Sequence, residues 1–212
     1  MSYTLSKAKD DKPDQTSVVP GSSGDEQKIA ENQFDLSGEY GRSDLDVRHR
    51  FIFSPLFDSG RFNSDNAFVR FLLSDYIITG IFTAQSGFAY SATVSGDPNR
   101  DGNTQNDRAP GTVRNQFSTP ASYIVDLRVG RAFRFGERMK LTLFAEAFNL
   151  FNRPNVQSVN RGLYSFSVVS GVNRLTRTTN FGTPSGFISG SPSFTFNSSY
   201  NREGQLGIRF DF

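Results

Sequence analysis

The sequence predicts an all-β fold, an antiparallel transmembrane β-barrel segment with long polar loops. Three observations predict it. The final stretch, Gln205 to Phe212, alternates strictly: Leu206, Ile208, Phe210 and Phe212 on one face, Gln205, Gly207, Arg209 and Asp211 on the other. A strand apolar on one side and charged on the other suits a wall between lipid and water. Phe is unusually frequent, 22 of 212 residues, alongside 19 Gly, while helix-period stretches are scarce. Polar, Gly- and Pro-rich stretches long enough to be surface loops separate the alternating segments.

The elements follow in order. Residues 1–44 read as the end of a strand, with Tyr3 and Leu5 against Thr4 and Ser6, followed by a long acidic and polar loop. Residues 45–212 hold the barrel strands. Residues 45–57 form one, with Val47, His49, Phe51 and Phe53 opposite Arg48 and Arg50. Residues 68–83 form another that is apolar on both sides, so its faces stay unassigned. Gly87 interrupts it and Tyr90 to Val94 continue it. After a loop over 95–121, residues 122–134 place Tyr123, Val125, Leu127 and Val129 on one face and Asp126 and Arg128 on the other. A tight turn at Phe135–Arg138 leads into residues 139–151. There Met139, Leu141, Leu143, Ala145 and Ala147 oppose Lys140, Thr142 and Glu146. The alternation and the short preceding turn favour a strand over the helix that Leu, Ala, Glu and Lys also permit. Short β-like pieces at 164–169 and 194–196 precede the last strand, 202–212.

Composition narrows the function classes. Lys plus Arg is 23 and Asp plus Glu is 21, for a net charge of +2, and the basic residues are scattered. That pattern predicts no nucleic-acid partner, despite a pI near 9.0. The absence of cysteine excludes disulfides and thiolate metal sites. Mean hydropathy is −0.44 and no run of 18 apolar residues occurs, which excludes a transmembrane helix but not a barrel. The sequence predicts no enzyme: no nucleophile elbow, phosphate loop or dinucleotide fingerprint is present. His49, the single histidine, sits between Arg48 and Arg50 and reads as part of the wall near an interface.

One motif suggests an ion. Asp97, Asn99, Asp101, Gly102 and Asn103 follow D-x-N-x-D-G-N, the first half of a calcium loop. Its twelfth position is Arg108, where a bidentate acid is expected, and Asp107 is the substitute one residue earlier. The other reading is a solvated Asx/Gly turn, with Arg108 pairing with Asp107 or with a neighbouring loop. The charged residues Arg48, Arg50, Asp126, Arg128, Lys140, Glu146, Arg209 and Asp211 are expected on the watery interior, and Phe51, Phe53, Phe210 and Phe212 on the lipid side.

Four segments together carry a family resemblance: Asp46–Phe51 (DVRHRF), Thr83–Tyr90 (TAQSGFAY), Asp97–Pro110 (DPNRDGNTQNDRAP) and Ala145–Asn155 (AEAFNLFNRPN). In this order, with the terminal Phe212, they resemble the carboxyl-terminal barrel of TonB-dependent outer-membrane receptors of the Oar-like group. The resemblance implies a location in the bacterial outer membrane and a complete barrel of about 22 strands around an amino-terminal plug. It also implies TonB and the plug as partners of the full-length protein, outer-membrane lipid around the wall, and barrel-assembly machinery reading the Phe212 strand. The chain shows about six or seven strands, below the eight of the smallest ordinary barrels. Its first residues lack the apolar core of a signal peptide. The expectation is therefore a fragment of a transporter for an unidentified substrate, with Met1 an internal or truncated start. Two alternatives remain: a small self-contained outer-membrane barrel with a structural or adhesion role, and a soluble calcium-binding β-sandwich.

Overall fold

A computed structural model describes residues 1–11, 30–32, 34–104, 106–136, 139–188 and 202–212. In chain order the first strands are β1 (Ser2–Leu5), β2 (Lys9–Asp10), β3 (Gly41–Arg42), β4 (His49–Phe53) and β5 (Leu56–Asp58). A helix, α1 (Ala67–Leu73), precedes β6 (Tyr76–Gln85), β7 (Ala89–Tyr90), β8 (Thr93–Ser95) and β9 (Phe117–Ser118). Then come β10 (Ser122–Phe135), β11 (Met139–Phe148), β12 (Val156–Val159), β13 (Gly162–Val169), β14 (Val172–Arg177), β15 (Pro184–Phe187) and β16 (Glu203–Asp211).

The dominant body is a seven-stranded antiparallel sheet in the order β1-β4-β6-β10-β11-β16, with β5 continuing β4 alongside β6. Ser54 and Pro55 separate β4 from β5, where a proline without an N–H is tolerated and its carbonyl accepts from Gly80 N. Strands β6, β10, β11 and β16 run 9 to 14 residues, enough for the roughly 9–11 that cross a bilayer.

Register assigns the faces that the sequence left open in β6. Phe51 pairs with Ala84 and Phe53 with Phe82. Phe82 pairs with Val125, Ile78 with Val129, and Gly80 with Leu127. Val129 pairs with Ala145, Phe133 with Leu141, Leu141 with Phe210, and Leu143 with Ile208. One continuous apolar face therefore runs from Tyr3 to Phe210. Arg50, Asp126, Arg128, Lys140, Glu146, Arg209 and Asp211 all lie on the opposite face, as expected. Arg48 lies just before β4.

Among the described residues no second layer covers the β16 side of the apolar face. Leu206 is 88% exposed, Ile208 73% and Phe210 53%. In a soluble sandwich these side chains would be the core, so the soluble-sandwich alternative is not the fold. The buried apolar core lies elsewhere. Ala92, Val94 and Ala109, backed by Phe117, Leu163, Tyr164, Phe166 and Phe181, form it among the loops.

The two ends of the sheet differ. Gln85 faces Ser122 and Tyr76 faces Arg131, so β6 and β10 fix which loops share an end. Segments 6–48, 86–121 and 149–202 leave from one end, and only 59–75 and the turn after Phe135 from the other. Barrels carry long loops outside and short turns on the periplasmic side.

One expectation on the elements is corrected. Residues 67–73 are helix rather than the start of the strand expected over 68–83. Asn66 caps α1 by accepting from Phe68 N and Val69 N, and Asp75, at φ 63°, separates it from β6. The strand piece expected at 194–196 lies outside the described residues.

Candidate functional site

Among the described residues, ion pairs and hydrogen bonds cross-link the loops of the long-loop end into one polar body. Arg108 donates to Glu39 at 2.8 Å and pairs with Glu31 at 2.7 Å, tying segment 86–121 to segment 6–48. Burial opposes the charge on Arg108, but Glu39 and Glu31 more than offset it and hold the guanidinium firmly protonated. Arg114, 5% exposed, pairs with Asp10, reaches Asp44 at 3.5 Å and donates to Glu39 O at 3.2 Å. Burial would raise the Asp10 carboxyl, yet hydrogen bonds from Ser43 and Arg114 bring it below the usual range. Asp46 behaves alike: burial is outweighed by Ala8 N–H and by Arg42, whose Nε lies 2.6 Å away. A buried charge is tolerated only when paired in this way.

The third loop joins through backbone and aromatic contacts. β8 runs parallel to β13 through the pairs Thr93–Gly162, Val94–Tyr164 and Ser95–Ser165. Phe181 packs edge-on against Phe117 at 5.3 Å and beside Tyr90 at 6.1 Å. Burial in that cluster raises the Tyr90 phenol. Asn155, 1% exposed, accepts from Tyr123 N and anchors the loop to the head of β10. Gly87 has a steric reason: a Cβ there would sit 1.6 Å from the Thr119 carbonyl oxygen. Sequence reasoning missed Arg114, Glu39, Asn155 and the strands β12 and β15, because their partners are distant in the chain and no local period marks them, and it missed β14, which pairs with β13 across the Ser170-Gly171 turn.

The expected ion loop lies at the edge of this body. Asp97 accepts from Asp101 N at 3.1 Å and from Gly102 N at 3.0 Å. Asn99 accepts from Asp101 N, and Asp101 accepts from Asn103 N at 2.7 Å. Gly102 takes φ +90°, which a side chain rarely adopts. These oxygens are thus turned onto the loop's own amides. Among the described residues no three acidic or histidine side chains converge closely enough to hold a metal ion. Asp107 differs from the rest. It is 1% exposed and its Oδ2 has no hydrogen-bond partner. Burial, then the fields of Asp101, Asp97 and Glu31, push its carboxyl up to about 6. Arg108 turns away from it toward Glu31 and Glu39, the neighbouring-loop pairing of the two that the sequence offered.

On the charged face of the sheet, Arg128 pairs with Glu146 at 3.1 Å and stacks over Phe144 at 4.2 Å. Phe144 in turn lies across Gly207, its cross-strand neighbour. Arg209 pairs with Asp211 at 2.8 Å. His49 stands at the outer end of the apolar face with Nδ1 2.8 Å from the Tyr3 hydroxyl, which places it on the wall and outside any cluster.

No curated protein and no solved structure matches the chain. A family model, the outer membrane beta barrel domain, matches residues 1–113, just over half of the 212. With an uncovered apolar face, a charged opposite face and loops gathered at one end, the chain belongs to the outer membrane beta barrel family and lies in the bacterial outer membrane.

Proposed function

We propose that the chain is wall and surface loops from the carboxyl-terminal part of a TonB-dependent, Oar-like receptor that takes up an unidentified substrate. The observation that carries this reading is the open sheet. β1 and β16 are its two edges, and among the described residues no pairing joins them. Unpaired strand edges are not tolerated in hydrocarbon, and the further strands of a larger wall would satisfy both. The charged interior face suits a lumen filled by a plug, and the cross-braced outer loops suit a rigid receptor mouth. Antibody against the surface loops, applied to native outer membranes, should detect a polypeptide far larger than 23.6 kDa. That polypeptide should be retained on the immobilised carboxyl-terminal domain of TonB. A folded 23.6 kDa species would instead support a small self-contained barrel.

Asp107 supports a second reading: calcium at the 97–107 loop. A buried carboxylate with one unpartnered oxygen lies in the field of Asp97 and Asp101. A hard cation there would relieve both the repulsion and the missing contact once Asp97 and Asp101 release the loop amides they accept from, with Asn99 and Asn103 as further oxygen donors. Calcium titration of the intact protein at pH 7.5, followed by calorimetry, should show one site that Asp107→Asn removes. Equal heats in both proteins would dismiss the site.

A further inference from the structure

The short-turn end carries a feature that the uptake reading does not use. A cavity of about 440 Å³ lies between α1, the turn before it and the lower end of β10. Arg61, Arg70, Arg131 and Arg134 line it, with Phe71 and Phe133. Only Arg134 has a carboxylate partner among the described residues, Asp75 at 3.0 Å. The neighbouring Asp58 is occupied by Gly60 N, and Asp65 makes no ion pair among the described residues.

Arg131 is out of place by the logic of the wall. Register puts it on the apolar face, between Tyr76 of β6 and Leu143 of β11. A cation on the lipid side costs roughly 2–4 kcal/mol at the bilayer midplane and little near its edge. Tyr76 is the first residue of β6, so Arg131 marks the edge. Its guanidinium lies 4.5 Å from the Phe71 ring and 4.9 Å from both Tyr76 and Phe133. It donates to Phe71 O, but its buried Nε has no partner. The aromatics hold a cation in position while leaving donor capacity unused.

Helix α1 adds the second half. Phe68, Phe71 and Leu72 follow i, i+3, i+4 and are 70%, 58% and 47% exposed. Phe71 packs on Phe133, so the helix lies against the apolar side of the sheet. A short helix with bare Phe and Leu, beside basic side chains at the rim of a membrane wall, suits the headgroup boundary.

We propose that this cavity seats the phosphate-bearing headgroup of an anionic glycerophospholipid in the periplasmic leaflet. Arg61, Arg70 and Arg131 contact the phosphate, and Phe68 and Leu72 lie among its acyl chains. Charge complementarity and position select this occupant. Three guanidinium groups without carboxylate partners face a cavity whose one lining carboxylate, Asp75, is engaged by Arg134, and a lipid phosphate is always present at that depth. A soluble anion would give no role to the exposed Phe68 and Leu72.

The test uses the intact protein in a neutral detergent, with dioleoylphosphatidylglycerol as probe and native mass spectrometry as readout. Wild type should retain bound lipid. Arg131→Gln with Arg61→Gln should lose retention by at least about tenfold, the effect of one charge-assisted hydrogen bond. Phe68→Ser with Leu72→Ser should also lose it, while Arg174→Gln on the outer hairpin should not. The gel shift between unheated and boiled samples establishes that each variant is folded. If the double arginine variant is not, Arg61→Gln alone should still weaken retention. Equal retention in wild type and folded arginine variants overturns the site. Full displacement of the lipid by excess inorganic phosphate, with no effect of the Phe68 and Leu72 changes, overturns the lipid assignment in favour of a free anion.

Discussion

Gly207 is the sharpest test of the wall as drawn. Its backbone has no positive φ, so the need for glycine is steric. A Cβ at this position would meet Phe144 Cζ at 2.1 Å and Cε2 at 2.4 Å. The ring would have to swing off β16 and give up the guanidinium of Arg128, stacked 4.2 Å above it. An exposed cation–π contact is worth about 0.5–1 kcal/mol, and overpacking typically costs about 1–3 kcal/mol. Gly→Ala in a strand should otherwise stabilise by roughly 0.5–1 kcal/mol. The net expectation for Gly207→Ala is a loss of about 1–2 kcal/mol, opposite in sign to the propensity effect alone. Urea unfolding of the intact protein in micelles, read as the fraction keeping the unheated gel mobility, measures it. Phe144→Ala removes the obstacle, so adding it to Gly207→Ala should recover most of the loss in a double-mutant cycle. The reasoning is refuted if Gly207→Ala is neutral or stabilising, or if Phe144→Ala brings no relief.

Other outcomes follow from the same geometry. Ile208→Arg should cost about 2 kcal/mol or more in the same unfolding assay because it charges the lipid face, whereas Arg209→Gln on the other face should cost under about 1 kcal/mol. Gly87→Ala drives a Cβ into the Thr119 backbone and breaks the hydrogen bonds of Phe88 N to Thr119 Oγ1 and of Thr119 N to Phe88 O. It should cost more than about 2 kcal/mol and speed surface proteolysis of segment 86–121 on whole cells. Arg114→Ala removes a buried guanidinium from Asp10 and Asp44, whose side chains are 36% and 34% exposed, and proteolysis of the outer loops should accelerate by an amount matching about 1–2 kcal/mol. The raised Asp107 carboxyl means that the folded state holds its proton longer than the unfolded chain. Loop stability should therefore fall as pH rises from about 4 to about 6, by about 1–3 kcal/mol, and Asp107→Asn should flatten that slope in hydrogen exchange.

The wall was legible because a strand's period of two writes its two environments directly into the sequence. Val125, Leu127, Leu143, Ile208 and Phe210 declare one face without reference to any neighbour, and register only confirms that the faces join. The β6 segment shows the limit of that reasoning. Ile77 and Ile81 stand on the charged face, so hydrophobicity is equal on both sides and only the pairing with β10 decides. The helix over 67–73 was hidden for a related reason: Phe, Val and Leu suit both strand and helix, and the deciding signal is a single cap, Asn66.

The outer body was the least legible, and its chemistry explains why. Arg114 meets Asp10 across 104 residues of chain, and Arg108 meets Glu39 across 69. No local pattern encodes such pairs, and an arginine destined for burial looks the same in sequence as one left in solvent. The ion loop is the opposite case. D-x-N-x-D-G is a strong local pattern because alternate oxygens and a left-handed glycine make a tight turn, whether the oxygens meet a cation or the loop's own amides. Asp97 and Asp101 sit with the amides. The informative residue is Asp107, beyond the recognisable half of the motif, because a buried oxygen without a partner can be seen only once the loops above it are in place.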